Sequence, residues 1–358
     1  MKLLALVDSP DHVCCRYRIR AFAPAMERSG ITVEYRAIGR GPVDRVRQLG
    51  SAGRFDAVIL QRKLLPGWQL AILRRSARRL IFDFDDAVLY RDSNDRRGPE
   101  DGRRRRRFAA TVAAADAVLA GNDFLADCAL RAGARVQDVH VIPTCVEPER
   151  YPVASTGTVD GPIDLVWVGT GGTLKGLLQP REVWSALARE IPGLRLRVIC
   201  DRFPEDFPIP VVPVVWSEAE EARQIAAGDV GVSWLPDDLW SRGKCGLKVL
   251  QYQAAGLPVV ANSVGCQVEM VRTGGNGFLA DEAAGWVEAI GRLARDPGLR
   301  RRMGEASRRD VERDYSVSAW SEAFVQSIQG HPRPALAGPH MPRVRSSATS
   351  FQTVGDSL

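Results

Sequence analysis

The sequence predicts an α/β protein built from two doubly wound domains. Apolar runs of strand length recur along the chain and alternate with segments whose apolar spacing fits helices. Several of these runs are continuously apolar and end in glycine, asparagine or aspartate, which is typical of buried parallel strands. The chain has 358 residues, which is enough for about two domains of ordinary size.

The composition indicates full hydrophobic cores, because 45% of the residues are hydrophobic and 26% are charged. No apolar run approaches the ~20 residues that span a bilayer, and the first residues form a strand rather than a signal peptide. We therefore expect a cytoplasmic protein. The 7 cysteines include no C-x-x-C pair and the 4 histidines form no cluster, so we expect free thiols and no metal site.

The first domain begins with a βαβ unit. A strand over residues 2–7 is followed by a loop, and a helix over residues 16–28 ends before Gly30 and the next strand. Arg16 and Arg18 open this helix, where a contact with a bound substrate is one interpretation and an ordinary surface helix start is the other. The remaining strands of this domain are predicted at residues 31–35, 55–60, 80–83, 117–120 and 139–142.

Three carboxylates, Asp83, Asp85 and Asp86, stand at the carboxyl end of the strand at residues 80–83. Crowded carboxylates raise one another's pKa values and are costly unless cations, hydrogen-bond donors or protons meet them. We therefore expect a site here. One of the three would orient or deprotonate a hydroxyl group of a substrate, and metal binding is the alternative.

The net charge of +6 is modest, but one basic run is dense: Arg103, Arg104, Arg105, Arg106 and Arg107. A solvated helix face is one interpretation. The other is a weak contact with anionic lipid headgroups, because each basic residue near a charged membrane contributes ~1 kcal/mol. Nucleic acid is not expected, since neither interleaved aromatic residues nor a recognition-helix pattern accompanies the arginines.

The second domain starts with a strand over residues 163–168 and a glycine-rich turn. Gly169, Thr170 and Gly171 stand between this strand and a long helix that reaches residue 190. The N–H groups of such a turn can cradle a phosphate. Further strands are predicted at residues 196–200, 211–215, 228–234, 257–261 and 278–280.

A second turn with glycines is basic, and it precedes a helix over residues 247–255: Arg242, Gly243, Lys244, Cys245 and Gly246. Lys244 and Lys248 are four residues apart and share one face of the helix start. Because a helix start adds free N–H groups and the positive end of the dipole, we expect an anion here. Gly265 lies past the next strand, at the sheet edge where open α/β sheets bind ligands.

Four motifs of this domain are informative together: GKCGLKVLQY at residues 243–252, AAGLPVVA at 254–261, GCQVE at 265–269 and GGNGFLA at 274–280. Their order and spacing resemble the donor half of family 4 glycosyltransferases, which are retaining sugar-nucleotide enzymes of the GT-B fold. The first motif resembles a subset with a G-K-C-G-x-K-x-x-Q-Y pattern. The resemblance implies two Rossmann-like, doubly wound domains that face each other across a cleft.

The resemblance also implies the domain limits, and composition adds a disordered tail rich in proline, serine and arginine. We expect an acceptor-binding domain at residues 1–150, a hinge linker at 151–162, a nucleotide-sugar-binding domain at 163–315, a helix at 316–330 that crosses back to the first domain, and the disordered tail at 331–358.

Single positions can be matched with the family's motifs. Lys175 matches the lysine that neutralises the donor diphosphate, whereas Thr170 stands where the family has an arginine. Gly243 and Gln251 stand where the family has two glutamates. Gln251 would accept hydrogen bonds from the ribose, each worth ~0.5–1.5 kcal/mol rather than the ~1.5–3 of a charged acceptor. Glu269 matches a glutamate near the donor sugar.

The resemblance therefore implies a metal-independent, retaining glycosyltransferase that uses a nucleotide-diphosphate sugar and no cofactor. Lys175, Lys244 and Lys248 would stabilise the departing diphosphate, Asp85 and Asp86 would be catalytic, and Arg16, Arg18 and Asp83 would contact a glycan, polysaccharide or lipid-linked acceptor. The expected donor contacts are Gly169, Thr170, Gly171, Gly243, Cys245, Gly246, Leu247, Gln251, Gly265 and Glu269. The alternatives are a non-catalytic GT-B scaffold that binds nucleotide or a protein partner, and a sugar-nucleotide epimerase of the same fold.

Overall fold

The computed structural model describes residues 1–39, 41–154 and 161–330. The predicted tail and the middle of the predicted hinge, residues 155–160, lie outside these ranges. The described chain forms two six-stranded sheets whose paired strands are all parallel. Buried clusters cover both faces of each sheet. The predicted pair of doubly wound domains is therefore confirmed.

The first sheet consists of β1 (Lys2–Val7), β2 (Thr32–Ala37), β3 (Ala57–Gln61), β4 (Leu80–Phe84), β5 (Ala117–Ala120) and β6 (Val139–Val141). Its helices are α1 (Val13–Arg18), α2 (Ala23–Arg28), α3 (Pro42–Gly50), α4 (Gly67–Ser76), α5 (Gly102–Ala114) and α6 (Asp123–Arg131). The spatial order is β2-β1-β3-β4-β5-β6. The order therefore changes direction between β1 and β3.

The second sheet consists of β7 (Ile163–Val168), β8 (Leu194–Cys200), β9 (Val211–Val215), β10 (Val230–Ser233), β11 (Val259–Ala261) and β12 (Gly277–Leu279). Its helices are α7 (Gly171–Leu178), α8 (Arg181–Glu190), α9 (Glu221–Ala226), α10 (Leu239–Arg242), α11 (Leu247–Ala254), α12 (Gln267–Met270), α13 (Ala283–Arg295) and α14 (Pro297–Asp314). The order β9-β8-β7-β10-β11-β12 changes direction between β7 and β10.

Aromatic side chains fill the layers between sheets and helices. The rings of Phe82, Phe84 and Phe108 lie 4.9 to 5.9 Å apart between β4 and α5. In the second domain Trp184 of α8 meets Trp286 of α13 at 5.9 Å. Every residue of β3, β4 and β7 is buried, as continuously apolar runs predict for parallel strands covered on both sides.

Two predicted helices are wrong in extent. The helix expected at residues 16–28 begins at Val13, where the His12 side chain accepts the Cys14 N–H at 3.3 Å, and ends at Arg18; α2 follows after a 3₁₀ turn. The long helix expected up to residue 190 is divided into α7 and α8 before Arg181. Pro180 explains this division, because proline lacks an N–H and clashes with the preceding turn.

The chain crosses between the domains twice, and the two crossings lie side by side. Val146 and Ser316 form a parallel bridge, in which the Val146 N–H donates to Tyr315 at 3.0 Å and the Val317 N–H donates to Val146 at 2.9 Å. Val146 and Tyr151 already pack in the second domain's core. Contact with the second domain's core therefore begins at Val146, four residues before the predicted boundary at residue 150.

The last described helix, α15 (Val317–Gln329), packs on the first domain. Its Phe324 stacks on Phe22 with ring centroids 4.2 Å apart. Arg79 of the first domain donates to the carbonyls of Ser327 and Ile328 at 3.0 and 3.1 Å. These contacts tie the end of the second domain to the first. All seven cysteines are free, and each of them is buried. Among residues 1–39, 41–154 and 161–330, no helix combines the length and apolar character needed to cross a membrane.

Candidate functional site

Two loops lie at the carboxyl edge of the second sheet, where its strand order changes direction. One follows β7 and leads into α7, and the other follows β10 and leads through α10 into α11. Each contains one of the turns identified in the sequence. We call residues 169–173 the first glycine turn and residues 243–247 the second glycine turn.

The second glycine turn leaves the N-terminus of α11 open. Gly246 is the N-cap at φ 63°, and in the described part of the chain no side chain caps this helix. The N–H groups of a first helical turn have no acceptor within the helix. A Cβ added to Gly246 would lie 2.5 Å from the Sδ of Met270, so α12 packs directly on this turn. Leu247, half-buried, begins the helix.

Lys248 stands on the first turn of α11 and is half-buried. Its Nζ lies 4.8 Å from the centroid of the Trp167 ring. Burial, and secondarily the charge of Lys244, lower the pKa of Lys248 to about 7. The same indole packs beneath Gly169, where an added Cβ would collide with it. Trp167 thus connects the ammonium group of Lys248 with the first glycine turn.

Lys244 faces the first domain. Its Nζ lies 3.9 Å from the Oδ1 of Asp86 and 5.6 Å from the Trp240 ring. Arg242, by contrast, donates from Nε and Nη2 to Asp237 at 2.8 and 3.1 Å. Because Asp237 neutralises Arg242, the positive charge at the second glycine turn and the start of α11 rests on Lys244 and Lys248.

The first glycine turn is closed by its own neighbours. The N–H groups of its first three residues donate within the protein: Gly169 to the Ile199 carbonyl at 3.0 Å, Thr170 to the Thr173 hydroxyl at 3.0 Å, and Gly171 to the Asp201 carboxylate at 2.6 Å. The last of these bonds lowers the pKa of Asp201. The predicted amide cradle of Gly169, Thr170 and Gly171 is therefore wrong for this structure. Lys175 is exposed on α7.

Asp85 and Asp86 form a charged cluster with Arg62 on the opposite side of the cleft. Arg62 lies 2.5 Å from Asp86 through Nη2 and 3.5 Å from Asp85 through Nη1. Burial raises the pKa of Asp86, whereas Lys244 and Arg62 oppose this rise and Asp85 adds to it. The cations that crowded carboxylates require are therefore present, and the contact between Lys244 and Asp86 joins the two domains.

Arg62 was not assigned a role in the sequence analysis. It follows β3 at the same sheet edge as Asp85 and Asp86, and that position was the available signal. Its φ of 58° is uncommon for a residue other than glycine, and such strain concentrates at functional sites. No local sequence pattern predicts this backbone conformation.

Arg18 and Asp83 do not lie in the cleft. Arg18 donates from Nε and Nη2 to Asp83 at 3.2 and 2.6 Å, and from Nη1 to the Ile142 carbonyl. The two side chains are only 1% and 0% exposed. Burial raises the pKa of Asp83, and Arg18 opposes this rise. The prediction that Arg18 and Asp83 contact the acceptor is therefore wrong, because both belong to a buried ion pair.

Gly243 and Cys245 pack against the first domain. A Cβ added to Gly243 would lie 2.6 Å from the Cβ of Ala87, and one added to Gly121 would collide with the Sγ of Cys245. Asn122 donates to the carbonyls of Gly243 and Lys244, each at 3.2 Å. In this arrangement Gly243 and Cys245 face the first domain rather than a donor, contrary to the prediction.

A buried polar cluster joins the domains at the other end of α11. Gln251 donates through Nε2 to the Tyr17 hydroxyl at 3.1 Å, and this hydroxyl donates to Glu221 at 3.1 Å. Tyr151 lies 3.1 Å from the same oxygen. Nearby, Arg16 pairs with Glu218 at 3.0 Å. Arg16 and Gln251 therefore make contacts between the domains, which sequence reasoning did not predict because each partner is distant in the chain.

Gly265 and Glu269 border the second glycine turn. Gly265 has φ 59°, and an added Cβ would lie 3.2 Å from the Ser241 carbonyl, so the loop after β11 rests on the chain leading into the turn. Glu269 is exposed on α12. Partial desolvation and the carboxylate of Asp123 in the first domain raise the pKa of Glu269. Gly265 thus packs on the chain that leads into the second glycine turn, and the donor contacts of Gly265 and Glu269 stay predictions.

The five arginines of residues 103–107 differ in their contacts with the rest of the protein. Arg103 and Arg106 are exposed on α5. The others interact with the protein: Arg104 donates to the Val88 and Tyr90 carbonyls at 3.3 and 3.1 Å, Arg105 pairs with Glu100 at 3.0 Å, and Arg107 lines a cavity.

Comparison with known proteins gives a family match in the second domain. A model of the family described as "Glycosyl transferases group 1" matches residues 211–296. Curated relatives named D-inositol 3-phosphate glycosyltransferase are 37% identical over 93 residues in Streptomyces avermitilis and 36% identical over 98 residues in Streptomyces scabiei. These segments cover 25% and 26% of this chain, and only 20% and 22% of the relatives. The matches therefore concern a fraction of each relative.

Solved structures match over most of the chain. Sucrose-phosphate synthase from Thermosynechococcus elongatus has a TM-score of 0.72 at 18% identity, covering 92% of this chain and 98% of that one. HepE from Anabaena, in complex with UDP and glucose, has a TM-score of 0.65 at 16% identity, covering 92% and 100%. At these identities the likeness shows the fold. The chain has the GT-B fold, and the segment matching the group 1 glycosyl transferases in its second domain supports a GT-B glycosyltransferase.

Proposed function

We propose that this protein transfers a sugar from a nucleotide-diphosphate sugar to an acceptor hydroxyl. The second glycine turn carries this proposal, because Lys244, Lys248 and the open N-terminus of α11 lie together where the second sheet changes direction. Such a place stabilises an anion like the diphosphate. The matching segments of known glycosyltransferases support the same activity.

On the donor side, Lys244 and Lys248 stabilise the charge that develops on the departing diphosphate. Interactions that strengthen in the transition state accelerate the transfer. Lys175 contributes less, because it is exposed and its charge is screened. Gln251 binds the ribose after it separates from Tyr17, and Glu269 contacts the sugar or its loop.

On the acceptor side, Asp86 orients the attacking hydroxyl, with Asp85 and Arg62 holding Asp86 in place. The hydroxyl oxygen bonds to the anomeric carbon on the face from which the phosphate leaves. The bond between that carbon and the phosphate oxygen breaks, and the leaving phosphate accepts the hydroxyl proton. The anomeric configuration is retained in this scheme, and the lysines replace a metal ion as the counter-charge of the diphosphate.

The decisive experiment is titration of the protein with UDP-glucose, GDP-mannose and ADP-glucose in the presence of EDTA. UDP-sugars come first, because HepE structures hold UDP and UDP-glucose. We expect at least one donor to bind and to be hydrolysed slowly when no acceptor is present. NMR then identifies the anomer of the sugar that is released. Lys244→Ala should abolish both signals. A failure of every sugar nucleotide to bind contradicts the proposal.

The rival functions give different results in the same assay. Binding without turnover, even with a panel of acceptors, would favour a non-catalytic scaffold. Conversion of one sugar nucleotide into another, without release or transfer, would favour an epimerase.

We also infer a weak contact with anionic membranes through the exposed Arg103 and Arg106, which fits a lipid-linked acceptor. Co-sedimentation with phosphatidylglycerol vesicles at low salt, lost in an Arg103→Gln, Arg106→Gln double variant, is the expected result. Equal sedimentation of the variant would contradict it.

A further inference from the structure

A cavity of about 460 Å³ opens at the carboxyl edge of the first sheet. This volume lies in the range of small-molecule sites, ~300–1,000 Å³. Residues that follow β1, β2 and β3 line it together with side chains of α3 and α5. The cavity therefore lies between β1 and β3, where the order of this sheet changes direction. Open parallel sheets bind ligands at this point.

The lining is basic. Its charged residues are Arg45, Lys63, Arg107 and Asp8, which give the lining a net charge of +2. Lys63 pairs with Asp8 and neutralises it. Among the described residues, the groups to which Arg45 donates are both neutral: the Gly39 carbonyl at 2.9 Å and the Gln69 side chain at 3.4 Å. Within residues 1–39, 41–154 and 161–330, neither Arg45 nor Arg107 forms an ion pair with a carboxylate.

The rest of the wall is apolar, and the loop that forms part of it begins at the charged cluster of the cleft. Leu64 and Pro66 line the cavity, and both follow Lys63 in the loop after β3. The residue before Lys63 is Arg62, whose guanidinium group pairs with Asp86. The loop after β3 therefore contributes both a wall of the cavity and the arginine that pairs with Asp86, the residue proposed to orient the acceptor hydroxyl.

We propose that this cavity binds a phosphate group of the acceptor between the guanidinium groups of Arg45 and Arg107. Guanidinium groups form bidentate, charge-assisted hydrogen bonds with phosphate, and the unpaired positive charge favours such an anion. The apolar wall contacts the carbon skeleton beside the phosphate. The proposal rests on the proposed function, since it names the class of acceptor that the transferase uses.

The test is calorimetric titration of the full chain, with and without UDP, using glucose 6-phosphate as the charged probe and glucose as its neutral counterpart. We expect glucose 6-phosphate to bind at least about tenfold more tightly than glucose. Arg45→Gln and Arg107→Gln should each weaken the binding of glucose 6-phosphate by about tenfold. Arg47→Gln is the matched control, because Arg47 is exposed on the same helix as Arg45, and it should change nothing.

A second probe separates a lipid headgroup from a soluble phosphate. Vesicles containing phosphatidylinositol replace glucose 6-phosphate, and loss of binding in the Arg45 and Arg107 variants assigns the phosphate to a lipid. If the variants lose binding of glucose 6-phosphate but not of the vesicles, the phosphate group belongs to a soluble acceptor. Equal affinity for glucose and glucose 6-phosphate, or equal behaviour of Arg47→Gln and Arg107→Gln with both probes, would overturn the proposal.

The two proposals fail in distinguishable ways. Unchanged UDP affinity and thermal unfolding of each variant show that the fold is intact. If the protein binds UDP but the affinity for both probes is the same in the wild type and in the Arg45 and Arg107 variants, the cavity proposal is contradicted and the transferase proposal is not. If no sugar nucleotide binds while the binding of glucose 6-phosphate requires both arginines, the transferase proposal is contradicted and the cavity still binds a phosphate.

Discussion

The two glycine turns of the second domain lie at the same sheet edge and differ in what their N–H groups do. At the first, the Gly171 N–H donates to Asp201 and the Thr170 N–H donates to Thr173. At the second, no side chain of the described residues caps α11, and Lys244 and Lys248 stand beside the open N–H groups. A glycine-rich turn before a helix is thus an anion site only where the protein leaves its amides without acceptors.

The two turns should differ most in their response to an added methyl group. In Gly246→Ala the new Cβ lies 2.5 Å from Met270 at a left-handed φ, so the free energy of unfolding should fall by about 2–4 kcal/mol. In Gly172→Ala the nearest atom is 3.7 Å away, and the change should stay within about 1 kcal/mol. Chemical denaturation measures both. Equal losses would show that the turns are packed alike.

Neutralising one lysine at each turn should separate their electrostatic roles. Lys248→Met should weaken UDP binding by about tenfold or more, since a charge-assisted contact with phosphate is lost. Lys175→Met, at the exposed position, should weaken it by less than about threefold. Calorimetry measures the affinities. Lys248→Met should also stabilise the fold, because a half-buried ammonium group carries a desolvation cost. The opposite ranking of the two variants would move the diphosphate to the first turn.

The pKa of Lys248 should make donor binding pH-dependent. Since this pKa is about 7, the free protein loses the charge above pH 7, and UDP affinity should fall by up to about tenfold per pH unit between pH 7 and 9. Titrations in buffers of different ionisation enthalpy should show proton uptake at pH 8. Lys248→Met serves as the control and should remove both effects. A pH-independent affinity in the wild type would exclude contact between Lys248 and the phosphate.

Stability should depend on pH in the opposite sense. The pKa of Lys248 is lower in the folded protein than its ordinary value of 10.5, so the unfolded chain holds the extra proton between pH 7 and 10.5. The desolvation cost is therefore full below pH 7 and disappears as the pH rises to 10.5. Thermal unfolding of wild type and Lys248→Met should converge over this window.

The smallest effect is expected for Asp201→Asn, which keeps an oxygen acceptor for the Gly171 N–H but removes the charge. We expect slightly lower stability and a UDP affinity within about twofold of the wild type. Calorimetry beside Lys248→Met is the measurement. A loss of affinity as large as that of Lys248→Met would mean that the first turn binds the phosphate.

The fold could be predicted largely because its signals are local. Each predicted strand is present in the described chain, since a short apolar run bounded by polar residues or glycine needs no distant partner to be recognised. The helices were less predictable. Pro180 divides one of them by a local rule, whereas the break at Ile19 follows from a backbone turn with no strong sequence signal.

The site could be predicted only where neighbours in sequence are also neighbours in space. Lys244 and Lys248 lie on one helix start, and their proximity follows from their spacing. The burial of Arg18 depends on Asp83, 65 residues away. The closing of the first glycine turn depends on Asp201, 30 residues beyond Gly171. Each of these partners is fixed by tertiary packing rather than by the motif.

Cys245 gives the cleft a natural reporter. Its thiol is buried against Gly121 of the other domain, on the same turn that presents Lys244. Opening of the cleft would withdraw this sulfur from its surroundings and expose it to a small alkylating reagent. The rate of labelling would then measure how often the lobes separate, and a ligand that bridges them would slow the reaction.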